Sequence, residues 1–442
     1  MSAASKAKRR NPNLEVLAFE RTPHVSYSAC GIPYYVADLV REASELVTIT
    51  PEQFREQRGI EVFTRHEAVR VSPIKRKVTV VDLDTGRERA FDYDRLLIAV
   101  GGKPRRPEIP GADLPNVFTV QTLQDGMRIR RFVDEQRPRR AVIVGGGYIG
   151  MEMAEAFRRR DLETTVVEKT DQILPGFERT VVEQVESELD SHQVRRLTGC
   201  EVNEIRQPEE TTEPELAVTL SNGETVPAEL VLFCIGLTPN VQLAVEAGVH
   251  LGVTGAIAVN RKLQTNVANV YAAGDCVQVK NLVSGEADYV PLGPTANKQG
   301  RVAGENVAGG TAAFPGVVGT SVFKVFELEV ARTGLSLERA RTAGFDADAV
   351  TITAPSKAGY YPGAEPLTVA VIFDRRGGRL LGAQMVGREG VSKRIDAFAV
   401  ALMNRLTLEE AAYLDLSYAP PFAPVWDPVL VAIHAARGKL GR

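Results

Sequence analysis

The chain has 442 residues, of which 44% are hydrophobic and 25% are charged. This length exceeds what one compact core accommodates, so we expect two or three domains of ordinary globular composition. A net charge of −3 favours neither a nucleic-acid partner nor an anionic membrane surface. No apolar stretch approaches the length of a membrane span, and the polar N-terminus has no signal-peptide core.

Four cysteines lie far apart in the sequence, at positions 30, 200, 234 and 276. They form no C-x-x-C pair and have no zinc-ligand spacing, so we expect no metal site. The pattern is typical of a chain that works in a reducing cytoplasm. Any cysteine chemistry must then be carried out by a single thiol, or by a thiol acting with a cofactor.

Two kinds of strand pattern follow one another in the first part of the chain. The apolar run 13–20 ends in an acid and predicts a buried parallel strand. Residues 60–100 alternate in the manner of antiparallel strands, and the Pro/Gly-rich stretch 104–115 predicts a crossing between domains.

The central part alternates strands with a helix, and the tail has a different organisation. The central elements are a strand at 141–144, a glycine loop, a helix from 149 to about 160, a strand at 163–168 and three strands within 216–236. The tail has strand patterns at 317–325, 367–373 and 380–386, followed by helical patterns at 391–413. An alternating α/β portion is therefore followed by a distinct α+β tail.

Residues 145–150 read Gly-Gly-Gly-Tyr-Ile-Gly and fit G-x-G-x-x-G between a predicted strand and a predicted helix. An acid, Glu168, follows 18 residues later at the end of the next strand, which completes the context of a dinucleotide-binding motif. Glu168 would accept hydrogen bonds from ribose hydroxyls and repel a 2′-phosphate, which favours NADH, while Lys169 leaves NADPH open. The residues expected to contact the nucleotide are Gly145, Gly147, Tyr148, Ile149, Gly150 and Glu168.

A second nucleotide signal is the acid that follows a strand-end glycine in the segment 270–276, Val-Tyr-Ala-Ala-Gly-Asp-Cys. Asp275 in this place suits a ribitol hydroxyl or a diphosphate group of a nucleotide. It suits equally well a cap for the next helix.

The order of these segments resembles the flavoprotein disulfide reductases that have two dinucleotide-binding domains. The resemblance covers the whole chain and implies an α/β fold with two doubly wound FAD- and NAD(P)-binding domains, one inserted in the other, plus a C-terminal α+β dimerisation domain. The implied domains are residues 1–112 and 241–314 for FAD, 113–240 for NAD(P)H and 315–442 for dimerisation. The resemblance also implies that Glu20, Arg21 and Asp275 contact FAD.

The N-terminus departs from this family pattern. The family begins with a strand and a glycine loop for the FAD diphosphate, whereas Met1–Ser5 resembles the helix after that loop. About a dozen residues are then absent, either because the start was assigned to an internal methionine or because the domain is truncated. We therefore expect the chain as given to bind FAD poorly.

The segment 26–35, Ser-Tyr-Ser-Ala-Cys-Gly-Ile-Pro-Tyr-Tyr, follows the strand that ends at Glu20. A thiol at a helix N-terminus has a lowered pKa, Gly31 permits close approach to a flat ring, and Pro33 predicts the helix start. In isolation this pattern also fits a buried, inert cysteine. In the resembling family it is the place of the redox cysteine against the flavin, and Tyr35 excludes the C-x4-C pair of the dithiol members.

With one cysteine in this segment, the chain resembles the single-cysteine branch of the family, which comprises coenzyme A-disulfide reductases, NADH oxidases and NADH peroxidases. The form Cys-Gly-x-Pro-Tyr-Tyr is most similar to the coenzyme A-disulfide reductases and implies that Cys30 is the catalytic thiol. The other three cysteines are interpreted as structural.

Two aromatic segments of the tail, 359–363 and 418–428, also resemble coenzyme A-disulfide reductases, in which they lie at the dimer interface. The resemblance implies that Tyr361 and Tyr418 donate a proton or a hydrogen bond to a departing thiolate. Tyr360 and Phe422 fit interface packing at least as well. The residues implied to contact coenzyme A, whose phosphates suit basic side chains, are Lys6, Arg9, Ser26, Ala29, Arg58, Asn297 and Trp426, the last of which fits packing equally.

The sequence thus predicts a homodimeric enzyme that passes electrons from NADH or NADPH through FAD to Cys30 and reduces coenzyme A disulfide or a related small thiol disulfide. Glu152 matches a family glutamate near the contact of flavin and nicotinamide, or is an ordinary surface glutamate. The alternatives are an NADH oxidase, a persulfide or polysulfide reductase that uses the same cysteine, and a non-catalytic NAD(H)-binding dimer.

Overall fold

The computed structural model describes residues 1–207 and 215–441. Its first part carries four helices and seven short strands before the chain crosses into the next unit. These elements are α1 Ser2–Arg10, β1 Leu17–Glu20, a 3-10 turn Ala29–Gly31, α2 Ile32–Val36, α3 Ala43–Leu46, α4 Pro51–Arg58, β2 Glu61–Thr64, β3 His66–Ser72, β4 Lys77–Asp82, β5 Glu88–Asp92, β6 Leu96–Ile98 and β7 Gly102–Pro104.

The central part is built around a parallel sheet of five strands. Its elements are β8 Val117–Thr119, α5 Leu123–Gln136, β9 Arg140–Val144, α6 Tyr148–Arg159, β10 Glu163–Val167, α7 Arg179–Ser191, β11 Arg195–Leu197, β12 Val202–Arg206, β13 Leu216–Leu220, β14 Thr225–Ala228, β15 Leu230–Phe233 and β16 Leu237–Pro239. The sheet has the order β11-β10-β9-β15-β8, and β12 to β14 form a separate antiparallel sheet. Strand β15 is buried along its whole length, as expected when both faces of a parallel sheet are covered.

The chain then returns to the first unit. The return elements are α8 Gln242–Glu246, β17 Val270–Ala272, β18 Val279–Lys280, β19 Ala287–Asp288 and α9 Gly293–Val307. Strand β17 pairs in parallel with β6, and α9 packs against α1. At the crossing, β16 pairs with β7. The central unit is therefore inserted into the first one, which confirms the predicted fold.

The first unit differs in detail from the expected doubly wound sheet. Its parallel strands form two separate pairs in the described residues, β1 with β2 and β6 with β17. Strand β2 was expected in an antiparallel sheet but pairs in parallel with β1, whereas β3, β4 and β5 are antiparallel as predicted.

Two predicted strands begin later than their patterns indicated. Strand β1 begins at Leu17 because residues 11–14 turn, with the Leu14 N–H donating to the Asn11 carbonyl at 3.2 Å. In the tail, the strand expected from 317 begins at Ser321, since Gly319 has a φ of +76° that extended backbone does not adopt.

The C-terminal part is an antiparallel sheet covered by helices. Its elements are β20 Ser321–Val325, β21 Leu328–Gly334, α10 Leu337–Thr342, β22 Ala347–Pro355, β23 Pro366–Asp374, β24 Leu380–Gly387, α11 Val391–Met403, α12 Leu408–Ala411 and α13 Pro428–Lys439. The strand order is β20-β21-β24-β23-β22, and α11 and α13 pack on this sheet. The predicted α+β tail is thus confirmed.

Across residues 1–207 and 215–441, no helix combines the length and the apolar character needed to cross a bilayer. The same described ranges contain no group of His, Cys, Asp and Glu side chains arranged to hold a metal ion.

Candidate functional site

The glycine loop leaves strand β9 and opens helix α6, as the motif predicts. Gly145 has a φ of +110°, and a Cβ on it would lie 2.5 Å from the Cys234 carbonyl oxygen. A Cβ on Gly150 would lie 2.1 Å from the Gly145 carbonyl oxygen, so neither position accepts a side chain. Gly147, by contrast, faces open space.

Helix α6 begins without any capping side chain and without an acid in its first turn. Its first N–H groups therefore have no intrahelical acceptor and point to the open space beside Gly147. This arrangement fits the diphosphate of a dinucleotide.

Glu168 follows β10 and is buried beside the loop. Its Oε2 accepts a hydrogen bond from the Gly146 N–H at 2.7 Å, and its Oε1 accepts from the Thr170 N–H and hydroxyl, each at 2.9 Å. A carboxylate has about four acceptor positions, so capacity for ribose hydroxyls remains. Glu168 therefore also holds the loop in place, a role that the sequence did not indicate.

The loop forms one wall of a cleft of about 840 Å³. Residues of the central unit, of the return segment and of the C-terminal sheet line this cleft together. The lining includes Tyr148, Ile149, Glu168, Lys169, Cys234, Tyr289 and Arg332. Its volume suits a bound dinucleotide.

Cys30 lies in the 3-10 turn that precedes α2, and it is the exposed member of the four free cysteines. Pro33 stands in the first turn of α2, as predicted. The expected lowering of the thiol pKa is wrong for this structure. Burial by neighbouring protein atoms and then the Glu152 carboxylate raise the pKa of Cys30, and the helix-terminal backbone N–H offsets only part of this rise.

Glu152, on α6, is the acid that raises the pKa of Cys30 most. Burial, and then the nearby Glu155 carboxylate, raise the pKa of Glu152 to about 7. Tyr34 and Glu152 line the same small cavity, and Tyr148 lies one turn before Glu152 on α6. Burial, and then the Glu152 carboxylate, raise the pKa of both phenols. Glu152 is thus half-buried and acts electrostatically on Cys30, and its role in the site stays a prediction.

The other three cysteines are less exposed than Cys30. Cys200 and Cys276 are buried, and burial raises the pKa of Cys276 to about 11. Burial also raises the pKa of Cys234, which follows β15. Neutral thiols in such surroundings are unreactive.

The expected FAD residues lie at the ends of strands of the first unit. Glu20 ends β1 and accepts a hydrogen bond from the Thr22 N–H at 2.7 Å, while Arg21 beside it is exposed. Asp275 follows β17, and burial raises its pKa. Helix α1 begins without a capping side chain or a first-turn acid, so its terminal N–H groups suit a diphosphate. These residues fit FAD.

The residues expected to contact coenzyme A already have partners in several cases. Lys6 pairs with Glu305 at 2.8 Å, the Arg58 guanidinium donates to the Ser5 hydroxyl at 2.6 Å, and the Ser26 and Thr48 hydroxyls share a hydrogen bond of 2.8 Å. Asn297 accepts a hydrogen bond from the Ser2 hydroxyl. Arg9 and Ala29 are exposed.

The two aromatic segments of the tail meet on one surface. Tyr418 is hydrogen-bonded to Tyr360, and Tyr361 and Tyr418 are 38% and 49% exposed. Trp426 is 59% exposed and packs edge-on to His434.

Arg394, which the sequence did not single out, joins the segment 418–428 to Ser356, which precedes the other aromatic segment. Its guanidinium pairs with Asp427 at 2.8 Å and donates to the carbonyls of Ser356 and Phe422 at 2.8 and 3.1 Å. A lone arginine in an amphipathic helix gives no sequence signal for such a role.

Models of two families match the chain. "Pyridine nucleotide-disulphide oxidoreductase" matches residues 1–300, and the dimerisation domain of the same name matches residues 320–428. The chain belongs to the pyridine nucleotide-disulphide oxidoreductases. It is therefore an NAD(P)H-dependent, FAD-containing disulfide oxidoreductase with a dimerisation domain, as the sequence predicted, rather than a non-catalytic nucleotide-binding chain.

Three relatives illustrate the range of names within this family. The chain is 40% identical to the NAD(P)H coenzyme A polysulfide/persulfide reductase of Pyrococcus horikoshii, over 98% of this chain and 94% of that protein. It is 29% identical to the coenzyme A disulfide reductase of Staphylococcus haemolyticus, over 99% and 96% of the two chains. The structure of reduced Bacillus anthracis CoADR-RHD matches with a TM-score of 0.95 and 34% identity, over 100% of this chain and 78% of that one.

Proposed function

We propose that this enzyme reduces coenzyme A disulfide, or a mixed disulfide of coenzyme A, through Cys30. The observation that carries the proposal is that Cys30 is the exposed thiol and stands in a cluster with Glu152, Tyr34 and Tyr148. A single exposed thiol can form a mixed disulfide with a substrate but cannot form an internal one. The names of the relatives direct this chemistry toward coenzyme A.

The overall reaction consumes one NAD(P)H and one proton and converts one coenzyme A disulfide into two coenzyme A thiols. In the proposed cycle, the Cys30 thiolate attacks one sulfur of the substrate, forms a Cys30–coenzyme A disulfide and expels the first coenzyme A as a thiolate. Two electrons from NAD(P)H then break that mixed disulfide, which restores the Cys30 thiolate and releases the second coenzyme A. FAD supplies the relay of these two electrons from the nicotinamide to the sulfur.

The leaving thiolates need protons or hydrogen-bond donors. Glu152, with a pKa raised to about 7, holds or releases a proton beside Cys30 near neutral pH. Tyr361 and Tyr418 are exposed on the dimerisation domain, and in a homodimer we place their hydroxyls against the coenzyme A sulfur at the partner's site.

Each nucleotide is assigned to acids at strand ends and to a helix N-terminus. These are Glu168 and α6 for NAD(P)H, and Glu20, Asp275 and α1 for FAD. NAD(P)H is placed on Gly145, Gly147, Tyr148, Ile149, Gly150 and Glu168, and FAD on Glu20, Arg21 and Asp275. Coenzyme A is placed along Lys6, Arg9, Ser26, Ala29, Arg58, Asn297 and Trp426. The basic members of this last group complement the phosphates of coenzyme A.

Reduction of persulfides or polysulfides is a second candidate. The relative at 40% identity bears the name of such a reductase, whereas the coenzyme A disulfide reductase is 29% identical. The same Cys30 thiolate would attack the outer sulfur of a coenzyme A persulfide, so the two candidates differ in substrate rather than in residues.

The test replaces Cys30 by serine in FAD-loaded protein and measures NADH oxidation with coenzyme A disulfide and with coenzyme A persulfide. We expect loss of both activities, since a hydroxyl is not a nucleophile at neutral pH, with retained reduction of the flavin by NADH. The matched control is Cys200→Ser, which changes a buried thiol and should leave turnover intact. Retained disulfide reduction in Cys30→Ser would refute the proposal, and wild type that ignores both sulfur substrates but reduces O2 to water through Cys30 would establish the oxidase instead.

A further inference from the structure

One cation of the nucleotide cleft comes from the dimerisation domain. Arg332 lies on β21 and lines the cleft opposite the glycine loop. Its guanidinium carbon is 5.1 Å from the centre of the Phe177 ring, and a Cβ on Gly176 would come within 3.4 Å of its Nη1. Arg332 is half-buried, and burial, followed by the Arg339 charge, lowers the pKa of its guanidinium.

Two of the other three cations that line the cleft are neutralised by carboxylates, and the third, Arg105, is exposed to solvent. Lys169 pairs with Glu201 at 2.8 Å, and Arg339 pairs with Asp288 at 2.8 Å. The Asp288 charge also acts on Arg332, but its carboxylate accepts hydrogen bonds from Arg339 and Asn281. The remaining acid of the cleft, Glu168, accepts hydrogen bonds from Gly146 and Thr170.

Arg332 has no such partner. Within residues 1–207 and 215–441, its guanidinium makes no ion pair and no hydrogen bond. A partly buried cation without an acceptor costs stability, so its retention is explained by an anion that enters the cleft.

The surface beneath Arg332 is held in place. Gln384 accepts a hydrogen bond from the Glu178 N–H at 2.6 Å and donates to the Gly176 carbonyl at 3.0 Å. Glu178 in turn accepts from the Leu337 N–H at 3.1 Å. The segment that carries Phe177, whose ring the Arg332 guanidinium contacts, is therefore tied to the C-terminal sheet on both sides.

Tyr148 and Arg332 line the same cleft. Burial, and then the Glu152 carboxylate, raise the pKa of the Tyr148 phenol, and the Arg332 charge opposes this rise. Tyr148 is the first residue of α6, whose free N–H groups border the same space. An anion in this space meets the helix N-terminus on one side and a guanidinium on the other.

We propose that Arg332 binds the diphosphate of NAD(P)H and completes the nucleotide site from the dimerisation domain. The planar guanidinium offers two parallel N–H donors to phosphate oxygens, which the helix terminus alone does not. Arg332 is thus a positioning residue that orders the nucleotide across the domain boundary. The inference depends on the nucleotide site of the proposed function but not on the disulfide that is reduced.

The test measures equilibrium binding by isothermal titration calorimetry of FAD-loaded wild type, Arg332→Gln and Arg332→Lys. Two probes are used, NAD⁺ and ADP-ribose, because ADP-ribose keeps the diphosphate and lacks the nicotinamide. We expect Arg332→Gln to weaken both probes equally, by about tenfold to hundredfold, as for the loss of a charge-assisted hydrogen bond. The dissociation constants of Arg332→Lys should lie between those of wild type and Arg332→Gln, since lysine keeps the charge but loses the two parallel N–H donors.

The matched control is Arg376→Gln, which removes the same charge from an exposed turn of the same domain and should leave both dissociation constants unchanged. Unchanged binding of both probes by Arg332→Gln would overturn the proposal. Weaker binding of NAD⁺ with unchanged binding of ADP-ribose would overturn it too, because Arg332 would then contact the nicotinamide. Should Arg332→Gln fold poorly by its melting temperature and flavin content, the same comparison is made with Arg332→Lys. Failure of wild type to bind NAD⁺ would instead refute the nucleotide site itself.

Discussion

Replacing Glu152 by glutamine should stabilise the protein at pH 8 and have a much smaller effect on its stability at pH 5. Burial and the Glu155 carboxylate move the pKa of Glu152 from 4.5 to about 7 in the folded chain. Within residues 1–207 and 215–441 Glu152 makes no ion pair, and Lys324, which lines the same small cavity, pairs with Glu155 at 3.3 Å. The Glu152 carboxylate raises the pKa of Cys30, Tyr34, Tyr148 and Cys234, in each case after the effect of burial. The folded state therefore prefers the neutral acid.

The sign of the pH dependence follows from proton binding. Between pH 4.5 and about 7 the native chain keeps a proton on Glu152 that the unfolded chain has released, so this group lowers stability as pH rises through that window. Below pH 4.5 the contribution vanishes, and above about pH 7 it is complete. The displacement from 4.5 to about 7 corresponds to about 3 kcal/mol.

The measurement is the free energy of unfolding in urea at pH values from 5 to 8.5, for wild type, Glu152→Gln and a charge-matched control. Glu135→Gln is that control, because Glu135 is exposed and its replacement changes the net charge in the same way. We expect Glu152→Gln to gain about 2–3 kcal/mol by pH 8, and the control to stay within about 0.5 kcal/mol of wild type at every pH. If the difference in free energy of unfolding between Glu152→Gln and wild type did not vary with pH, the reasoning would be refuted.

Three further variants test the rest of the site. Glu168→Ala should lower the NADH-to-NADPH ratio of kcat/KM by about tenfold to hundredfold, because it removes a ribose acceptor and a charge that repels the 2′-phosphate; an unchanged ratio would show that Glu168 serves only the loop. Tyr418→Phe should slow turnover with coenzyme A disulfide by about 10²–10⁴-fold, while Tyr413→Phe, also exposed, should not; equal rates for both variants would leave Tyr418 a packing residue. Arg394→Met should reduce the free energy of unfolding in urea by about 3–5 kcal/mol, because it leaves Asp427 buried without its partner; a loss below about 1 kcal/mol would contradict that.

The sequence by itself determined the features whose signal is local. The glycine loop could be predicted because its close contacts join residues five positions apart, as between Gly145 and Gly150, and because strand and helix flank it directly. The turn and helix after Cys30 were predictable for the same reason, since Pro33 and the neighbouring pattern determine where α2 starts. The insertion of one unit in the other was implied by the resemblance to a known family, and the pairing of β6 with β17 confirms it.

Only the tertiary structure decided the features that depend on packing between distant segments. The pKa of Cys30 was expected to be low from its place at a helix terminus, but α6 brings Glu152 next to it and the rise from burial and that carboxylate outweighs the backbone effect. Arg332 sits in an alternating strand pattern that is equally typical of a solvent-facing residue. It becomes part of the nucleotide cleft because the C-terminal sheet packs against the segment around Phe177. Electrostatic effects depend on distance through space rather than along the chain, and no spacing in one sequence encodes that distance.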